Sequence, residues 1–233
     1  MSTAADKPAS LPAGQAGLSL APTVDWHSKE VTEILERALA EDIGSGLPAE
    51  AFAKAGDITT AAVLPDRVEA VGSFLAHQLL VVAGLPLVGR LLELLDPGLR
   101  FRPVVEEGAL VSRGVLAEVR GDARVLLQGE RTALNFLQRL SGIATLTRRF
   151  VSRLEGTQAQ LRDTRKTTPG LRLLERYAVR VGGGTNHRFG LYDAVLIKEN
   201  HARLAGGVGE AVRRARQKYG HGTIIQAEVR DEA

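Results

Sequence analysis

The sequence predicts an α/β protein in two parts, a strand-rich first half followed by repeated strand–helix units. Residues 61–128 carry short β-branched segments that are separated by turn signals. From residue 129 onward, short apolar segments alternate with stretches of helical spacing, which is the pattern of parallel βα units. In such units the catalytic groups gather just past the carboxyl ends of the strands.

Composition places the chain among ordinary globular proteins. Hydrophobic residues make up 44% and charged residues 24% of its 233 residues, which is enough apolar material for a sizeable core. No apolar run is long enough to cross a bilayer, so we expect no membrane span. Residues 1–22 are rich in Ala, Ser, Gly and Pro but lack the pattern of a signal peptide, and they predict a disordered tail. Cysteine is absent, which excludes disulfides and fits a reducing, cytoplasmic location.

The charge pattern favours small anions as ligands. The formal net charge is only +3 and aromatic residues make up 4% of the chain. Nucleic-acid-binding proteins usually concentrate their basic residues in runs and add aromatic residues for stacking. Here the basic residues are dispersed among apolar positions, so we expect no nucleic-acid partner.

The first half is predicted to begin with an amphipathic helix over 24–41, because Val31, Ile34, Leu35 and Leu39 share one face. A Gly-, Pro- and Ala-rich loop over 43–56 follows. A helix is then predicted at 85–95 and strands at 68–76, 100–105 and 115–119.

The second half is predicted to open with a long helix over 131–154. A strand at 161–164, a helix at 171–181, a strand at 194–197, a helix at 208–219 and a strand at 224–229 follow in that order. Residues 163–166, 198–201 and 228 come directly after the strands. We therefore expect the chemistry to lie there.

Basic residues are dense between Arg162 and Lys198, where eight of them face only three acidic residues. Arg172, Arg176 and Arg180 lie four residues apart, which predicts one solvated stripe along a helix. Arg165 and Lys166 differ, because they follow a strand and precede a turn. A guanidinium group binds a carboxylate through two parallel hydrogen bonds, and a lysine adds a mobile charge. From composition alone, a ligand-binding role and a surface role are both open for this pair.

Three consecutive glycines, 182–184, precede Thr185-Asn186-His187-Arg188. Glycine runs mark close backbone approach or special dihedral angles. The His-Arg pair that follows favours a ligand loop over a flexible surface loop. The segment has neither the phosphate-loop nor the Rossmann spacing.

Lys198 ends an apolar strand, where it is placed to contact a substrate or to stabilise developing charge. Glu199 and Glu228 also stand at strand ends, and Mg²⁺ prefers carboxylates together with substrate phosphates. A solvated strand residue is the alternative interpretation of Glu228.

Together these segments resemble the quinolinate phosphoribosyltransferase family, the carboxylating nicotinate-nucleotide pyrophosphorylases. The matching motifs are ALAEDIG at 38–44, GDITT at 56–60, GERTALN at 129–135, SGIAT at 141–145, DTRKTTPG at 163–170 and the run 182–201. The resemblance implies a type II phosphoribosyltransferase fold, in which an open-faced α/β sandwich is followed by an incomplete α/β barrel. On this basis we divide the chain into a tail at 1–22, a sandwich domain at 23–128 and a partial barrel at 129–233.

The resemblance also implies the reaction and the partners. Such enzymes transfer the phosphoribosyl group of phosphoribosyl pyrophosphate to quinolinate with decarboxylation, giving nicotinate mononucleotide, pyrophosphate and CO₂ for NAD biosynthesis. Mg²⁺ is the expected cofactor. The family forms homodimers, and Arg131 matches the arginine that reaches into the site of the second subunit.

The functional residues of the family can be assigned to individual positions of this sequence. The resemblance implies catalytic roles for Lys166, Lys198 and Glu228, and a metal-binding role for Glu228. Substrate binding is implied for Arg131, Thr164, Arg165, Lys166, His187, Arg188, Lys198 and Glu228.

The barrel segment is short for the family. Residues 129–233 hold three or four βα units of roughly 30 residues or more, whereas an eight-unit barrel needs ~200 residues. We therefore expect a truncated chain whose phosphoribosyl half is impaired. A paralogue that acts on another substrate and a non-catalytic dimer partner that lends Arg131 are the alternatives.

Overall fold

The computed structural model describes residues 24–44 and 56–229. The helices of these ranges are α1 Lys29–Ile43, α2 Ile58–Val63, α3 Leu85–Leu95, α4 Ala123–Arg153, α5 Arg172–Val181, α6 Glu199–Ala205 and α7 Val208–Tyr219. The strands are β1 Glu69–Ala76, β2 Leu80–Val81, β3 Arg100–Pro103, β4 Leu110–Val111, β5 Gly114–Asp122, β6 Val195–Ile197 and β7 Ile225–Ala227. The predicted tail and most of the predicted loop at 43–56 lie outside the described residues.

The first half contains the predicted helices and its three predicted strands, which form an antiparallel sheet of order β1-β5-β3, whereas α2, β2 and β4 were not predicted. Helix α1 starts at Lys29, later than predicted, because the Ser28 hydroxyl accepts a hydrogen bond from the Val31 amide and caps it. Its predicted apolar face is confirmed, since Val31, Leu35 and Leu39 are fully buried. Helices α1, α3 and α4 share one apolar core with the inner side of the sheet.

Helix α4 begins at Ala123, eight residues before its predicted start, and runs for 31 residues. The Asp122 carboxylate caps it by accepting a hydrogen bond from the Arg124 amide at 2.9 Å. Gly129 lies inside this helix. A Cβ atom at Gly129 would come within 2.5 Å of Leu95, so this glycine permits close packing of α3 on α4. The helix therefore runs across the predicted boundary at 128/129, and the domain division stays a prediction.

The second half contains parallel pairing as predicted, but the strand predicted at 161–164 is reduced to a single bridge at Arg162. β6 and β7 are parallel neighbours, and an isolated parallel bridge joins Arg162 to Thr185. The described strands form separate sheets that do not close, which confirms the α/β class with an incomplete barrel. The short helix α6 directly after β6 was not predicted. No helix in the described ranges is long and apolar enough to cross a membrane.

A partly buried carboxylate links the two halves. The Glu107 carboxylate accepts hydrogen bonds from the Gly84 and Leu85 amides at the start of α3, and from the Tyr177 hydroxyl on α5. Burial raises the pKa of Glu107 above its ordinary value despite these bonds. Burial and the neighbouring carboxylate also raise the pKa of Tyr177. Because α5 also contacts the strand ends of the second half, Glu107 couples the first half to them.

We expect Glu107→Ala to lower the free energy of unfolding by about 2–3 kcal/mol, because it leaves two helix amides and a hydroxyl without their acceptor. Denaturant titration measures the change, with the exposed neighbour Glu106→Ala as the control. A raised folded-state pKa means that the contribution of Glu107 is greatest at low pH and declines as the pH rises through the folded pKa. The loss should therefore be larger at about pH 5 than at about pH 8. A loss that grows with pH would contradict this assignment.

Candidate active site

The ends of two parallel strand pairs meet in the second half. The first pair is the bridge between Arg162 and Thr185, and the second is β6 with β7. A hydrogen bond between His187 Nε2 and Gln226 Oε1, 2.5 Å long, joins the two pairs. His187 therefore links the two strand pairs after which the chemistry was predicted.

Asp163 organises the first strand end. One of its carboxylate oxygens accepts a hydrogen bond from the His187 amide and the other accepts one from the Asn186 side chain, both at 2.7 Å. The same carboxylate lies 3.4 Å from Nε of Arg176, and the two side chains are only 5% and 4% exposed. This buried ion pair fixes the chain at residues 186–187.

Arg176 does not belong to a solvated stripe, so that prediction was wrong. Its guanidinium donates to the carbonyl oxygens of His187 and Arg188, each at 2.7 Å, and lies 5.0 Å from the centre of the Phe189 ring. The stripe prediction failed because four-residue spacing places side chains on one face without stating what that face contacts. Arg172 is also engaged, since it donates to the carbonyl oxygen of Phe189 at 3.1 Å.

The loop that carries Arg165 and Lys166 is held from the other side of α5. The Glu175 carboxylate accepts hydrogen bonds from the Thr168 amide at 3.1 Å and from Nε of Arg139 at 2.9 Å. Burial acts to raise the pKa of Glu175, but the bonds from Arg139 and Thr168 outweigh it and leave the pKa below its ordinary value. Glu175 is therefore a charged anchor for this loop.

Arg165 and Lys166 stand at the end of the strand with free donors. The Arg165 Nε is buried and has no hydrogen-bond partner in the described part of the chain. Lys166 is exposed, and its amide donates to the Thr164 hydroxyl at 3.1 Å, which turns the chain. A buried guanidinium donor without an acceptor is costly, so the position suits an anionic ligand.

Lys198 and Glu228 follow the paired strands β6 and β7. Their charged atoms lie 3.6 Å apart and both side chains are half exposed. Arg188 is buried, and its guanidinium donates to the Ala194 carbonyl oxygen just before β6 at 3.0 Å. Four cationic side chains and His187 thus lie at or beside these strand ends.

Comparison with known proteins identifies the family. The N-terminal domain model of quinolinate phosphoribosyl transferase matches residues 57–141, and the C-terminal domain model matches residues 143–233. The probable nicotinate-nucleotide pyrophosphorylase [carboxylating] of Bacillus subtilis is 41% identical over 204 residues, which is 87% of this chain and 67% of that protein. The chain belongs to the quinolinate phosphoribosyltransferase family.

Further members agree in sequence and in structure. The nicotinate-nucleotide pyrophosphorylase [carboxylating] of Mycobacterium leprae is 44% identical over 82% of this chain and 66% of its own length. The crystal structure of NadC from Streptococcus pyogenes superposes with a TM-score of 0.81 at 38% identity, covering 90% of this chain and 71% of that one. The chain spans about one half to two thirds of the length of the curated family members it matches.

The glycine run has a packing role in this family member. A Cβ atom at Gly182 would come within 2.5 Å of the Ala144 carbonyl oxygen, and one at Gly184 within 2.8 Å of Val179. The glycines thus bring the chain close to α4 and α5. The part of the predicted ligand loop that carries hydrogen-bond donors therefore begins after the glycines, at residue 185.

Arg131 lies apart from the other predicted site residues of this family member. It is exposed on α4, and no hydrogen bond or ion pair links it to another described residue. Eight residues further along the same helix, about 12 Å at the usual rise, Arg139 binds Glu175.

A metal site of the usual protein type is not found in the described ranges. No three His, Asp or Glu side chains there are grouped so that they could hold an ion. Glu228 is half exposed beside Lys198. This donor set fits an Mg²⁺ ion carried mainly by substrate phosphates, which needs only one or two protein carboxylates.

Sequence reasoning missed four residues of this site, namely Arg139, Glu175, Asn186 and Gln226. Glu175 and Arg176 directly follow the core residue Leu174, and two charges beside a buried helix position are the signal that was available. Arg139 and Gln226 left no comparable signal, because their partners are distant in sequence.

Proposed function

We propose that this protein carries out phosphoribosyl transfer from phosphoribosyl pyrophosphate to quinolinate with decarboxylation, a step of NAD biosynthesis. The products are nicotinate mononucleotide, pyrophosphate and CO₂. The observation that carries the proposal is the buried Nε of Arg165, which has no hydrogen-bond partner in the described part of the chain, next to Lys166 and at the same group of strand ends as His187, Arg188 and Lys198. Membership of the family supports the same reaction.

The cationic edge suits a dicarboxylate. Quinolinate carries two carboxylates on neighbouring ring carbons, and guanidinium groups bind carboxylates through paired hydrogen bonds. The ring nitrogen forms the new bond to the ribose carbon as pyrophosphate leaves. Loss of the carboxylate beside the ring nitrogen as CO₂ leaves an electron pair on that carbon, which a proton then takes. In this proposal Lys198 and Lys166 stabilise that charge.

We infer that Mg²⁺ enters with phosphoribosyl pyrophosphate and that Glu228 is its protein ligand. The ion would neutralise charge on the leaving pyrophosphate. Lys198, 3.6 Å from Glu228, would turn to the substrate once Glu228 binds the ion. The absence of a cluster of three potential metal ligands in the described ranges, together with the half-exposed Glu228 carboxylate, supports this division of roles.

We also propose that the protein acts as a homodimer in which Arg131 reaches the site of the second subunit. Its exposure and its lack of partners in the described ranges support this role. Large apolar side chains exposed along α4 and on β1 offer apolar surface for a subunit interface; they are Leu127, Leu146, Phe150, Val71 and Leu75. A monomer in sedimentation equilibrium at micromolar concentration would contradict this part of the proposal.

Calorimetry with quinolinate, and with nicotinate as the matched ligand with one carboxylate fewer, tests the proposal. We expect quinolinate to bind at least about tenfold more tightly, which corresponds to 1.4 kcal/mol. Release of CO₂ from carboxyl-labelled quinolinate in the presence of phosphoribosyl pyrophosphate and Mg²⁺ then measures turnover. Equal affinity for both ligands would favour a paralogue with another substrate. Quinolinate binding without turnover would overturn the catalytic assignment and favour a non-catalytic dimer partner.

A further inference from the structure

We propose that Glu175 and Arg176, neighbours on α5, are positioning residues that set the distance between the two cation-bearing loops, 164–168 and 186–189. The inference rests on the proposed function for its ligand, but its structural basis is independent of that function. Neither residue needs to touch the substrate. Each acts on the backbone of a loop whose side chains do.

Arg176 holds the loop 186–189. Its two terminal nitrogens donate to the carbonyl oxygens of His187 and Arg188, which are the two predicted substrate-binding residues of that loop. Its Nε faces the Asp163 carboxylate, which in turn accepts a hydrogen bond from the His187 amide. The guanidinium plane lies over the Phe189 ring. The backbone on both sides of the His187–Arg188 peptide is therefore tied to one buried side chain.

Glu175 holds the loop 164–168. Its carboxylate accepts hydrogen bonds from the Thr168 amide and from the Arg139 guanidinium. The Arg139 guanidinium also donates to the Thr168 hydroxyl. Because Arg139 projects from α4, this carboxylate ties the loop to two helices. Arg165 and Lys166 lie two to three residues before the point of attachment.

The two anchors share one rigid support. Glu175 and Arg176 are consecutive residues of α5, whose neighbouring side chains Leu174 and Ala178 are 1% and 0% exposed. A change in the position of α5 therefore moves both loops together and preserves their spacing. That spacing matters because two carboxylates on adjacent ring carbons have a fixed separation, and site geometry must hold within about 0.5 Å.

Stability alone does not account for this arrangement. A buried ion pair contributes little net stability compared with well-packed apolar residues. Here the charged groups are directed at the backbone of the ligand loops, and the helix carries two such anchors of opposite sign side by side. A positioning role predicts effects on ligand affinity that a purely structural role does not.

The first test is Arg176→Lys in the full chain. A lysine keeps the charge opposite Asp163 but cannot direct planar donors at two carbonyl oxygens at once. We expect the dissociation constant for quinolinate to rise about tenfold and amide hydrogen exchange at 186–189 to accelerate, with β1 and β5 unchanged. Arg120→Lys, which alters an exposed pair with Glu69 on the sheet, is the matched control and should change neither quantity.

The second test is Glu175→Gln, which keeps an acceptor for the Thr168 amide and removes the charge that binds Arg139. We expect amide hydrogen exchange at 164–168 to accelerate and the dissociation constant for quinolinate to rise. Both are measured under conditions in which all variants are fully folded. A double variant that combines Arg176→Lys and Glu175→Gln should lose less binding free energy for quinolinate than the two single variants lose in sum, because either substitution alone already disturbs the spacing of the loops.

The outcomes separate the two claims. Lower melting temperatures with unchanged quinolinate affinity and unchanged exchange at both loops would overturn the positioning role. If the unaltered chain does not bind quinolinate, the proposed function fails, and the exchange measurements still decide whether Glu175 and Arg176 hold the loops.

Discussion

Arg165→Met should abolish measurable quinolinate binding and reduce turnover by about a thousandfold or more, the loss of about 4 kcal/mol expected when one partner of a buried charge pair is removed. The reason is that the Arg165 Nε is buried without a partner in the described part of the chain. Methionine replaces the aliphatic stem of the arginine side chain and leaves the ligand carboxylate without its paired donors. Calorimetry and labelled CO₂ release measure the two effects.

Two variants make this result specific. Arg165→Lys should recover part of the affinity, because it restores charge without the paired donors. Arg162→Met removes an exposed arginine three residues earlier and should leave binding within about twofold, as expected of a surface change. Binding by Arg165→Met within threefold of the unaltered chain would exclude Arg165 from the site.

Asp163→Ala should lower the free energy of unfolding by about 3–5 kcal/mol, the usual cost of leaving a buried charge without its partner. The substitution leaves the Arg176 guanidinium without its carboxylate partner, and it removes the acceptor of the His187 amide and one of the two acceptors of the Asn186 side-chain amide. Urea titration followed by circular dichroism measures the loss. Because the segment 186–187 loses its anchor, quinolinate affinity should fall in the same variant.

A surface acidic residue supplies the comparison for Asp163. Asp66→Ala breaks a pair between Arg124 and a fully exposed carboxylate, and such pairs contribute about 0–1 kcal/mol. If Asp163→Ala costs no more than Asp66→Ala, the buried pair does not hold the strand end as described.

Much of the fold could be predicted from local patterns. The apolar faces of α1 and α3, the three longer strands and the parallel pairing in the second half follow from periodicity, because burial selects apolar residues at the spacing of each element. The start of α4 was missed, since its first turns follow a strand directly and contain Gly129. Helix α6 was missed because seven residues show too little periodicity.

The candidate site was predictable only in part. Arg165, Lys166, His187, Arg188 and Lys198 were named from their motifs, and all of them lie at or beside the ends of the paired strands. Their roles stay predictions. The anchors Glu175 and Arg176 were missed or misassigned, because a charged helix residue has the same sequence signature whether it is buried or solvated.

The sequence by itself determined the fold class, the family and the identity of the cations at the strand ends. Those features depend on residue types in local order, which motifs and periodicity record directly. Only the tertiary structure decided that Arg176 is buried, that the glycines 182–184 pack on helices, and that Arg165 retains an unpaired donor. Each of these features depends on contacts between segments that are distant in sequence. A charged side chain that is buried must be paired and hydrogen-bonded, and it therefore holds the groups it contacts in place.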